Sequence, residues 1–314
     1  TPLIQTKDLV KYFNTKRGNL HAVDHVNISI MKGETLGVVG ESGCGKSTLG
    51  RTILRLLEPT SGEILYNGQN IVDYSTKQMK EMRKKMQIIF QDPFTSLNPR
   101  MSVSEIIAEP MITTRTLKNN TERLDRVYQL METVGLAERF INSYPHELDG
   151  GRRQRIGIAR ALSVDPEFIV CDEPVSALDV SIQAQILNLM MDLQDEMGLT
   201  YMFVTHNLSV IKHISNNIAV MYLGQCVEHA PTDEPFAHPQ HPYTKAILTA
   251  IPIPSSKNRK KLENITGEVT SPINPKPGCR FADRCPYVTD RCREDGLKLR
   301  EVAPKHYVAC RLHE

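Results

Sequence analysis

Residues 40–48 read Gly-Glu-Ser-Gly-Cys-Gly-Lys-Ser-Thr, which fits the pattern G-x-x-x-x-G-K-[ST] of a phosphate-binding loop. The stretch 34–40 predicts a short buried strand before the loop, and apolar residues at helical spacing over 48–57 predict a helix after it. This setting favours a nucleotide-binding loop over a structural glycine-rich turn. Lys46 would contact the β- and γ-phosphates, and Ser47 would ligate Mg²⁺. The candidate phosphate-contacting residues are Ser42, Gly43, Cys44, Gly45, Lys46, Ser47 and Thr48.

Apolar stretches further along the chain extend this pattern into an α/β fold. Short apolar runs predict strands at 61–66, 86–90, 168–172, 200–206 and 218–222. The stretch 181–197 predicts a helix that Gly198 ends. Strands that alternate with helices indicate a mostly parallel sheet. Charged stretches with helical spacing at 102–112 and 121–134 interrupt the alternation, so we predict a helical insertion at about 92–150.

The composition changes after about residue 230, where proline becomes frequent. We therefore predict two parts: a nucleotide-binding domain over residues 1–230, and a small, irregular, cysteine-containing extension over residues 231–314. The basic stretch 255–261, Ser-Ser-Lys-Asn-Arg-Lys-Lys, predicts a solvated linker between elements of that extension.

The bulk composition argues against several classes of protein. The chain has 38 basic and 36 acidic residues and a net charge of +2, which gives no reason to expect nucleic acid as a partner. The longest apolar runs are too short to span a bilayer, and the first residues predict no signal segment. Seven cysteines, an odd number, do not suggest a secreted disulfide framework, so we expect a reducing, cytoplasmic compartment.

Two adjacent acids end the predicted strand at 168–172. Asp172 is its last residue, and Glu173 follows directly. An acid at this place can hold the Mg²⁺ shell, and its neighbour can orient or activate an attacking water. The alternative is a solvent-exposed turn, but a phosphate-binding loop earlier in the chain favours the catalytic interpretation.

The segment 148–152, Leu-Asp-Gly-Gly-Arg, resembles the signature segment Leu-Ser-Gly-Gly-Gln of ABC ATPases. Other segments resemble this family in the same order along the chain. Gln91 follows a predicted strand as the Q-loop glutamine does, residues 176–179 are similar to the D-loop, and His206 matches the switch histidine. The resemblance covers residues 1–230 almost continuously.

The resemblance implies a P-loop NTPase core of the ABC type, which binds ATP and Mg²⁺ and hydrolyses ATP. Phe13, or in second place Tyr12, would stack on adenine. The implied catalytic residues are Glu173, His206, Gln91 and Asp172. The implied magnesium ligands are Ser47, Gln91 and Asp172. The signature residues that would contact nucleotide are Leu148, Asp149, Gly150, Gly151 and Arg152.

A narrower resemblance is to the oligopeptide, dipeptide and nickel uptake branch, carried by residues 91–101, 173–181 and 241–245 and by the cysteine-containing tail. It implies an ATP-hydrolysing subunit that powers import of dipeptides or oligopeptides, peripheral to the cytoplasmic face of the cell membrane. The implied partners are a second ABC ATPase subunit, two integral membrane permease subunits and, indirectly, an extracytoplasmic solute-binding protein. A heterodimer is expected, with a homodimer open for the isolated chain. The solute itself stays open.

The rival class is a soluble ABC ATPase of translation or chromosome maintenance. Such chains usually carry two ATPase cassettes or long coiled-coil arms, and the sequence has neither. A metal-binding regulatory module is a third class, but the cysteine-containing tail is a small fraction of the chain.

Asp149 and Arg152 depart from the family signature, which has Ser and Gln at these positions. A serine hydroxyl can donate to the γ-phosphate that the other subunit holds, whereas an ionised aspartate would repel it. We therefore expect two unequal ATP sites, with most hydrolysis at the site built on Lys46. The alternative is that Arg152 or Arg153 neutralises Asp149 and both sites hydrolyse ATP.

Four cysteines follow one another in the extension with the spacing C-x₅-C-x₆-C-x₁₇-C. Four thiolates can hold a [4Fe–4S] cluster or Zn²⁺, and the short C-x₂₋₄-C pairs of zinc sites are absent. The spacing resembles the cluster-binding tail of some peptide-importer ATPases, which puts a cluster first, zinc second, and unligated or disulfide-bonded cysteines as the remaining alternative. We expect a structural role, because the tail is remote in sequence from the ATP motifs. The four are Cys279, Cys285, Cys292 and Cys310.

Overall fold

The computed structural model describes residues 1–249 and 270–314, so the predicted linker at 255–261 lies outside the described residues. In chain order the strands are β1 (Ile4–Thr15), β2 (Gly18–Val26), β3 (Ser29–Ile30), β4 (Thr35–Val39), β5 (Ser61–Tyr66), β6 (Gln69–Asn70), β7 (Met86–Ile89), β8 (Phe168–Asp172), β9 (Thr200–Val204), β10 (Asn217–Tyr222), β11 (Gln225–Pro231), β12 (Arg300–Ala303) and β13 (His306–Val308).

The α-helices are α1 (Lys46–Ile53), α2 (Thr76–Lys85), α3 (Val103–Thr114), α4 (Asn120–Thr133), α5 (Gly150–Leu162), α6 (Val180–Met197), α7 (Leu208–Ile214), α8 (Asp233–Ala237) and α9 (Pro242–Thr249). Short 3₁₀ turns lie at Glu138–Phe140, Pro145–Glu147, Ala282–Arg284, Asp290–Arg293 and Arg311–His313. The chain divides into two compact units: unit 1 is Thr1–Val72 with Thr205–Glu314, and unit 2 is Asp73–Val204.

Unit 1 contains two sets of paired strands. The first is antiparallel, in the order β2–β1–β5–β6 with β3 beside β1. The second has the order β12–β13–β11–β10–β4, in which only β10 and β4 are parallel. All five residues of β4 are buried, as expected for an apolar strand covered on both faces. The loop at 40–48 leaves the carboxyl end of this strand.

The C-terminal extension contributes to this second set, because β13 pairs with β11 and β12 pairs with β13. The sequence did not predict these two short strands. A buried hydrogen bond joins the two parts: the His306 Nε2 atom lies 2.7 Å from a carboxylate oxygen of Glu228 on β11, and both side chains are almost fully buried.

Unit 2 contains the parallel strands β9–β8–β7, which all run the same way. Every residue of β8 and β9 is buried. Because the carboxyl ends of parallel strands meet at one edge, the residues after β7 and β8 lie close together. The helices α3 and α4 fall within the predicted helical insertion, and α5 begins at its end. The separate boundary at residue 230 stays a prediction.

Several predicted boundaries differ from those in the structure. The first helix begins at Lys46 and ends at Ile53, earlier at both ends than predicted, because Gly45 starts it and Arg55 turns the chain with a φ of 50°. Strand β9 ends at Val204, so His206 follows the strand by two residues and does not end it. In α6 the buried residues are Ile186, Leu187, Met190 and Leu193, whereas Met197 near its end is exposed.

Within the described ranges, the structure has no helix both long enough and apolar enough to cross a bilayer.

Candidate functional site

The phosphate loop follows β4 and opens α1, as predicted. Gly45 has a φ of 100°, and a Cβ atom there would collide with the backbone carbonyl oxygen of Ala22 on β2. At Gly40, with a φ of 154°, a Cβ atom would meet the carbonyl oxygen of Met221 on β10. Both positions therefore require glycine, because the loop runs against neighbouring backbone and adopts left-handed angles.

Lys46 is the first residue of α1 and its side chain points back into the loop. The residue is only 5% exposed. Its ammonium donates to the carbonyl oxygens of Gly40 at 2.9 Å and Glu41 at 3.0 Å. Ser47 and Thr48 follow in the first turn of α1. A buried cation at the positive end of a helix is suited to binding phosphate.

Cys44 of the loop is buried, with its sulfur 3.8 Å from the Lys46 ammonium nitrogen. Burial raises the pKa of the Cys44 thiol, although nearby Lys46 opposes this shift. The thiol is therefore a packing group in the loop. Ser42 and Gly43 are exposed at the tip of the same loop.

The two aromatic candidates for adenine lie on β1. The ring of Tyr12 stacks on His21 with centroids 3.8 Å apart, and its hydroxyl donates to Asp24. The ring of Phe13 is half-buried, with the Lys11 ammonium 4.9 Å from its centroid. One face of the Tyr12 ring is thus already covered by a side chain, and the assignment of Phe13 to adenine stacking stays a prediction.

The two acids of unit 2 lie at the carboxyl end of β8. Asp172 is 1% exposed. Glu173 has a φ of 47°, a strained value for a non-glycine residue, and its N–H donates to the Val204 carbonyl oxygen at 2.8 Å. The Gln91 side-chain amide donates to a carboxylate oxygen of Glu173 at 3.2 Å. The structure therefore brings together two residues that the sequence assigns to catalysis.

The signature segment begins α5. Leu148 is buried, and a Cβ atom at Gly151 would lie 2.8 Å from the Ile182 side chain, so α5 and α6 approach closely there. Asp149 is the N-cap: its carboxylate accepts the Arg152 backbone N–H at 2.8 Å and the Arg152 guanidinium at 2.6 Å. Gly150 lies at the first position of the helix.

Arg153 bonds to Asp149 through the backbone, where its N–H donates to the Asp149 carbonyl oxygen at 3.0 Å, and its guanidinium turns to other partners. Its guanidinium donates to the Pro145 carbonyl oxygen at 2.6 Å and lies over the Phe94 ring, 3.9 Å from the centroid. Of the two cations considered from the sequence, Arg152 is therefore the one that pairs with Asp149.

His206 lies in unit 1, two residues after β9, and is exposed. The preceding Thr205 donates its N–H to the Val38 carbonyl oxygen, and Asn207 caps α7 by accepting two backbone N–H groups. The D-loop residue Ser176 lies in unit 2, where its hydroxyl donates to the carbonyl oxygen of Glu173 at 3.1 Å.

The four cysteines of the extension converge. The Cys279 N–H donates to the Cys292 carbonyl oxygen at 2.7 Å. Burial raises the pKa of the Cys279 thiol to about 11, and the thiols of Cys310, Cys292 and Cys285 add to that rise. All seven cysteines of the chain are free of disulfides. In the described ranges, no three or more His, Cys, Asp or Glu side chains are arranged to hold a single metal ion.

The sequence analysis missed a group of unit 1 residues that contact the phosphate loop from the C-terminal part of the chain. Arg284 pairs with Glu41, and the Tyr243 hydroxyl accepts the Glu41 N–H. These contacts join residues more than 200 positions apart in the chain. The local sequence around each residue carries no signal of the pairing.

The parallel β8 strand ending in acids, and the phosphate loop opening α1, define an ATPase of the P-loop class. Comparison with known proteins narrows this class. Residues 23–176 match the family described as ABC transporter, and residues 227–292 match the family described as oligopeptide/dipeptide transporter, C-terminal region.

Two relatives match almost the whole chain. One is the oligopeptide transport ATP-binding protein AppF of Bacillus subtilis, 49% identical over 321 residues that cover 99% of this chain and 97% of the relative. The other is the dipeptide transport ATP-binding protein DppF of Haemophilus influenzae, 48% identical, with coverage of 99% and 96%. The chain belongs to the ABC transporter family, as an ATP-binding subunit of the oligopeptide/dipeptide transporter type.

Solved structures agree with this assignment. The ATP-binding cassette MJ0796, solved as a dimer in a post-hydrolysis state with ADP and Pi, aligns with a TM-score of 0.67 and 31% identity. The alignment covers 73% of this chain and 98% of the cassette. CbiO1 of Clostridium perfringens, part of the ABC transporter complex cbiONQ, also aligns with a TM-score of 0.67, at 29% identity. The predicted ABC-type fold is confirmed.

Proposed function

We propose that this ABC ATPase powers the import of peptides across the cell membrane. The observation that carries the proposal is the buried Lys46 ammonium inside a phosphate loop at the start of α1. The chain around it is similar over almost its full length to ATP-binding proteins of oligopeptide and dipeptide transport. The proposed substrate class, peptides, therefore rests on the similarity to these relatives. The proposed energy source, ATP hydrolysis, rests on the phosphate loop.

The residue roles are those that the resemblance to ABC ATPases implies. Lys46 neutralises the β- and γ-phosphates, and Ser47, Gln91 and Asp172 hold the shell of Mg²⁺. Glu173 orients and activates the attacking water. His206 contacts the γ-phosphate, and Phe13 stacks on adenine. The signature residues Leu148, Asp149, Gly150, Gly151 and Arg152 cover the nucleotide that a second subunit holds.

The working assembly contains a second ABC ATPase subunit and two membrane permease subunits, so the chain lies at the cytoplasmic face of the membrane. The dimeric state of the similar cassette MJ0796 supports the ATPase pair. A solute-binding protein outside the membrane delivers the peptide to the permeases. No nucleic acid takes part.

Affinity purification from native membranes tests this assembly. We expect two polytopic membrane proteins and an unlike ABC ATPase to purify with the chain in mild detergent. The reconstituted complex should hydrolyse ATP faster with a peptide-loaded binding protein than with a nickel-loaded or empty one. Recovery of ribosomal or chromosomal proteins without any permease would refute the import function.

We also propose that the four cysteines of the extension hold a [4Fe–4S] cluster, with Zn²⁺ as the second choice. Their thiols interact with one another but are not arranged around a single ion. The preference for a cluster over zinc comes from the spacing C-x₅-C-x₆-C-x₁₇-C, which lacks the short C-x₂₋₄-C pairs of zinc sites. Such a cluster would be structural, fixing the turns that carry the cysteines.

Elemental analysis after anaerobic purification tests the cluster. The wild-type protein should be brown and contain iron and acid-labile sulfide, whereas Cys285→Ser should lose most of both. Cys226→Ser is the matched control, because Cys226 is a buried thiol of β11 outside the group. Zinc without iron, or equal iron in both variants, would overturn the assignment.

A further inference from the structure

Glu41, the second residue of the phosphate loop, is held through all of its polar groups. Its N–H donates to the Tyr243 hydroxyl at 2.9 Å. Its carbonyl oxygen accepts from the Lys46 ammonium at 3.0 Å. Its two carboxylate oxygens accept from the two Arg284 guanidinium nitrogens at 2.9 and 3.2 Å. Two of these three partners come from the C-terminal part of unit 1.

Arg284 reaches Glu41 from a rigid setting. Its side chain is 8% exposed, and its guanidinium also donates to the Tyr222 hydroxyl at 3.2 Å. Burial alone would lower the pKa of Arg284, but the bonds to Glu41 and Tyr222 raise it overall, so the guanidinium stays protonated. The rings of Tyr222, Tyr243 and Phe281 pack together with centroids 4.7–5.5 Å apart. The arginine therefore has little freedom to leave the loop.

The negative charge of Glu41 explains why the contact with Arg284 matters for phosphate binding. A carboxylate in a loop that surrounds phosphates has the same sign as its ligand and weakens binding unless a cation neutralises it. The bidentate pair with Arg284 provides that cation and fixes the side chain in one orientation. The Tyr243 hydroxyl fixes the backbone of the same residue.

A second contact from the same segment supports the idea that it serves the nucleotide-binding domain. Arg280 pairs with Asp24, which also accepts the hydroxyl of Tyr12 on β1. Cys279 lies just before Arg280, and Cys285 lies just after Arg284. The segment 279–285 therefore has a cysteine at each end. Next to each cysteine lies an arginine whose side chain contacts the nucleotide-binding domain.

We infer that Arg284 and Tyr243 are positioning residues for the phosphate loop, through which the cysteine-bearing segment 279–285 sets the affinity of the loop for nucleoside di- and triphosphates. The inference rests on the proposed role of the loop in nucleotide binding. It goes beyond the expectation that the cysteine-containing tail is purely structural. That expectation rested on the separation of the tail from the ATP motifs along the sequence. In the structure the tail contacts the loop directly.

Titration of the full-length, reduced chain with MgADP tests the inference, because the diphosphate probes the loop without hydrolysis. Arg284→Gln should weaken MgADP binding at least about fivefold, the lower range of coupling between linked sites. Tyr243→Phe, which keeps the buried ring, should weaken it less. The double variant Glu41→Gln/Arg284→Gln should bind within about twofold of Glu41→Gln alone, because the unpaired charge is gone.

Arg300→Gln is the matched control, since Arg300 lies in the same extension but pairs with Glu314, outside the segment 279–285. Its affinity should equal that of the wild type. Wild-type affinity in Arg284→Gln, an equal loss in Arg300→Gln, or no recovery in the double variant would each overturn the inference. If Arg284→Gln does not fold, wild-type affinity in Tyr243→Phe would overturn it. Undiminished binding by Lys46→Ala would instead refute the proposed role of the loop itself.

Discussion

Glu173 occupies a backbone conformation, with a φ of 47°, that few residues other than glycine adopt. Its N–H bonds to Val204 on β9 and its carbonyl oxygen accepts from Ser176, so both neighbouring strand and following loop hold it there. Non-glycine residues in such conformations cluster at functional sites, where the surrounding structure maintains them. The strain agrees with the role proposed for this carboxylate.

Replacement of Glu173 by Gln should leave ATP binding intact and slow hydrolysis by about 10²–10⁴-fold. The amide keeps the size of the side chain but cannot accept a proton from water. Turnover should be measured in the complex with its partners, and ATP affinity in the isolated chain. Glu196→Gln, at an exposed position on α6, is the control and should hydrolyse ATP at the wild-type rate. Near-normal turnover in Glu173→Gln would mean that another group activates the water.

Asp149 shows how much of one residue's role the sequence could predict. The sequence named Arg152 and Arg153 as cations that could neutralise it, and the structure pairs it with Arg152. The sequence did not indicate that Asp149 also caps a helix, because cap geometry depends on where α5 begins. Unequal ATP sites, and the alternative in which both sites hydrolyse ATP, both stay predictions.

At the scale of the element, α5 depends on Asp149 for its first turn. The carboxylate satisfies the N–H of Arg152, one of the backbone donors that a helix start leaves unpaired. The ion pair with Arg152 is exposed on both sides and adds little to stability. The cap is therefore the larger contribution.

Asp149→Ala should lower the stability of unit 2 by about 1 kcal/mol, the usual loss for an N-cap. The expected fall in melting temperature is about 2–4 °C. Asp149→Ser, which matches the family signature and can still cap, should melt within about 1 °C of the wild type. Differential scanning calorimetry measures both variants. Equal falls for Ala and Ser would show that the charge, and not the cap, stabilises this end of α5.

The elements that the sequence predicted well are those with an unambiguous local pattern. Strands β5 and β8 have the predicted bounds: β8 is an apolar run up to Asp172 and is wholly buried, and β5 ends in three buried apolar residues. Helix α6 ends at Gly198, which adopts a left-handed conformation. The strands β12 and β13 have no such pattern: they are short, mostly polar, and exist only because β11 offers them a partner.

At the scale of the whole molecule, unit 1 buries several ionisable groups. Burial lowers the pKa of His229 to about 4, and it also lowers that of His241 to about 4, although Glu228 opposes the latter and His313 and Lys245 add to it. The Nδ1 atom of His241 accepts the Tyr243 N–H at 3.1 Å, which requires that atom to be unprotonated. Both histidines are therefore neutral in the folded protein at pH 7.

These shifts predict that stability falls with pH below neutrality. Between about pH 6.5 and pH 4 the unfolded chain binds protons at His229 and His241 that the folded chain does not, so acid favours unfolding. Glu228 does not contribute to the loss of stability in the upper part of this pH range. Burial would raise its pKa, but bonds led by that from His306 hold it below the usual value, so its stabilisation is lost only as pH falls through that lowered pKa.

Melting temperatures measured from pH 7 to pH 4 check this prediction. His241→Asn should reduce the slope with pH, since the Asn side-chain oxygen can still accept the Tyr243 N–H and the site no longer titrates. His238→Asn, at an exposed position, should keep the wild-type slope. An unchanged slope in His241→Asn would show that His241 does not control acid sensitivity.

Unit 1 is built from two separate stretches of the chain, and the second stretch is synthesised last. This order affects how the protein folds during translation. Unit 2 is continuous from Asp73 to Val204 and can fold as soon as it leaves the ribosome. In unit 1, the phosphate loop lacks its contact with Arg284, and β11 lacks its partner β13, until those later residues have been synthesised. At about 5–20 residues per second, the delay between Val204 and β13 is on the order of ten seconds. From the synthesis of β11 until that of β13, β11 presents an unpaired edge, which is a hazard for aggregation. Nascent chains of this subunit should therefore depend on chaperones most strongly during the last third of their synthesis.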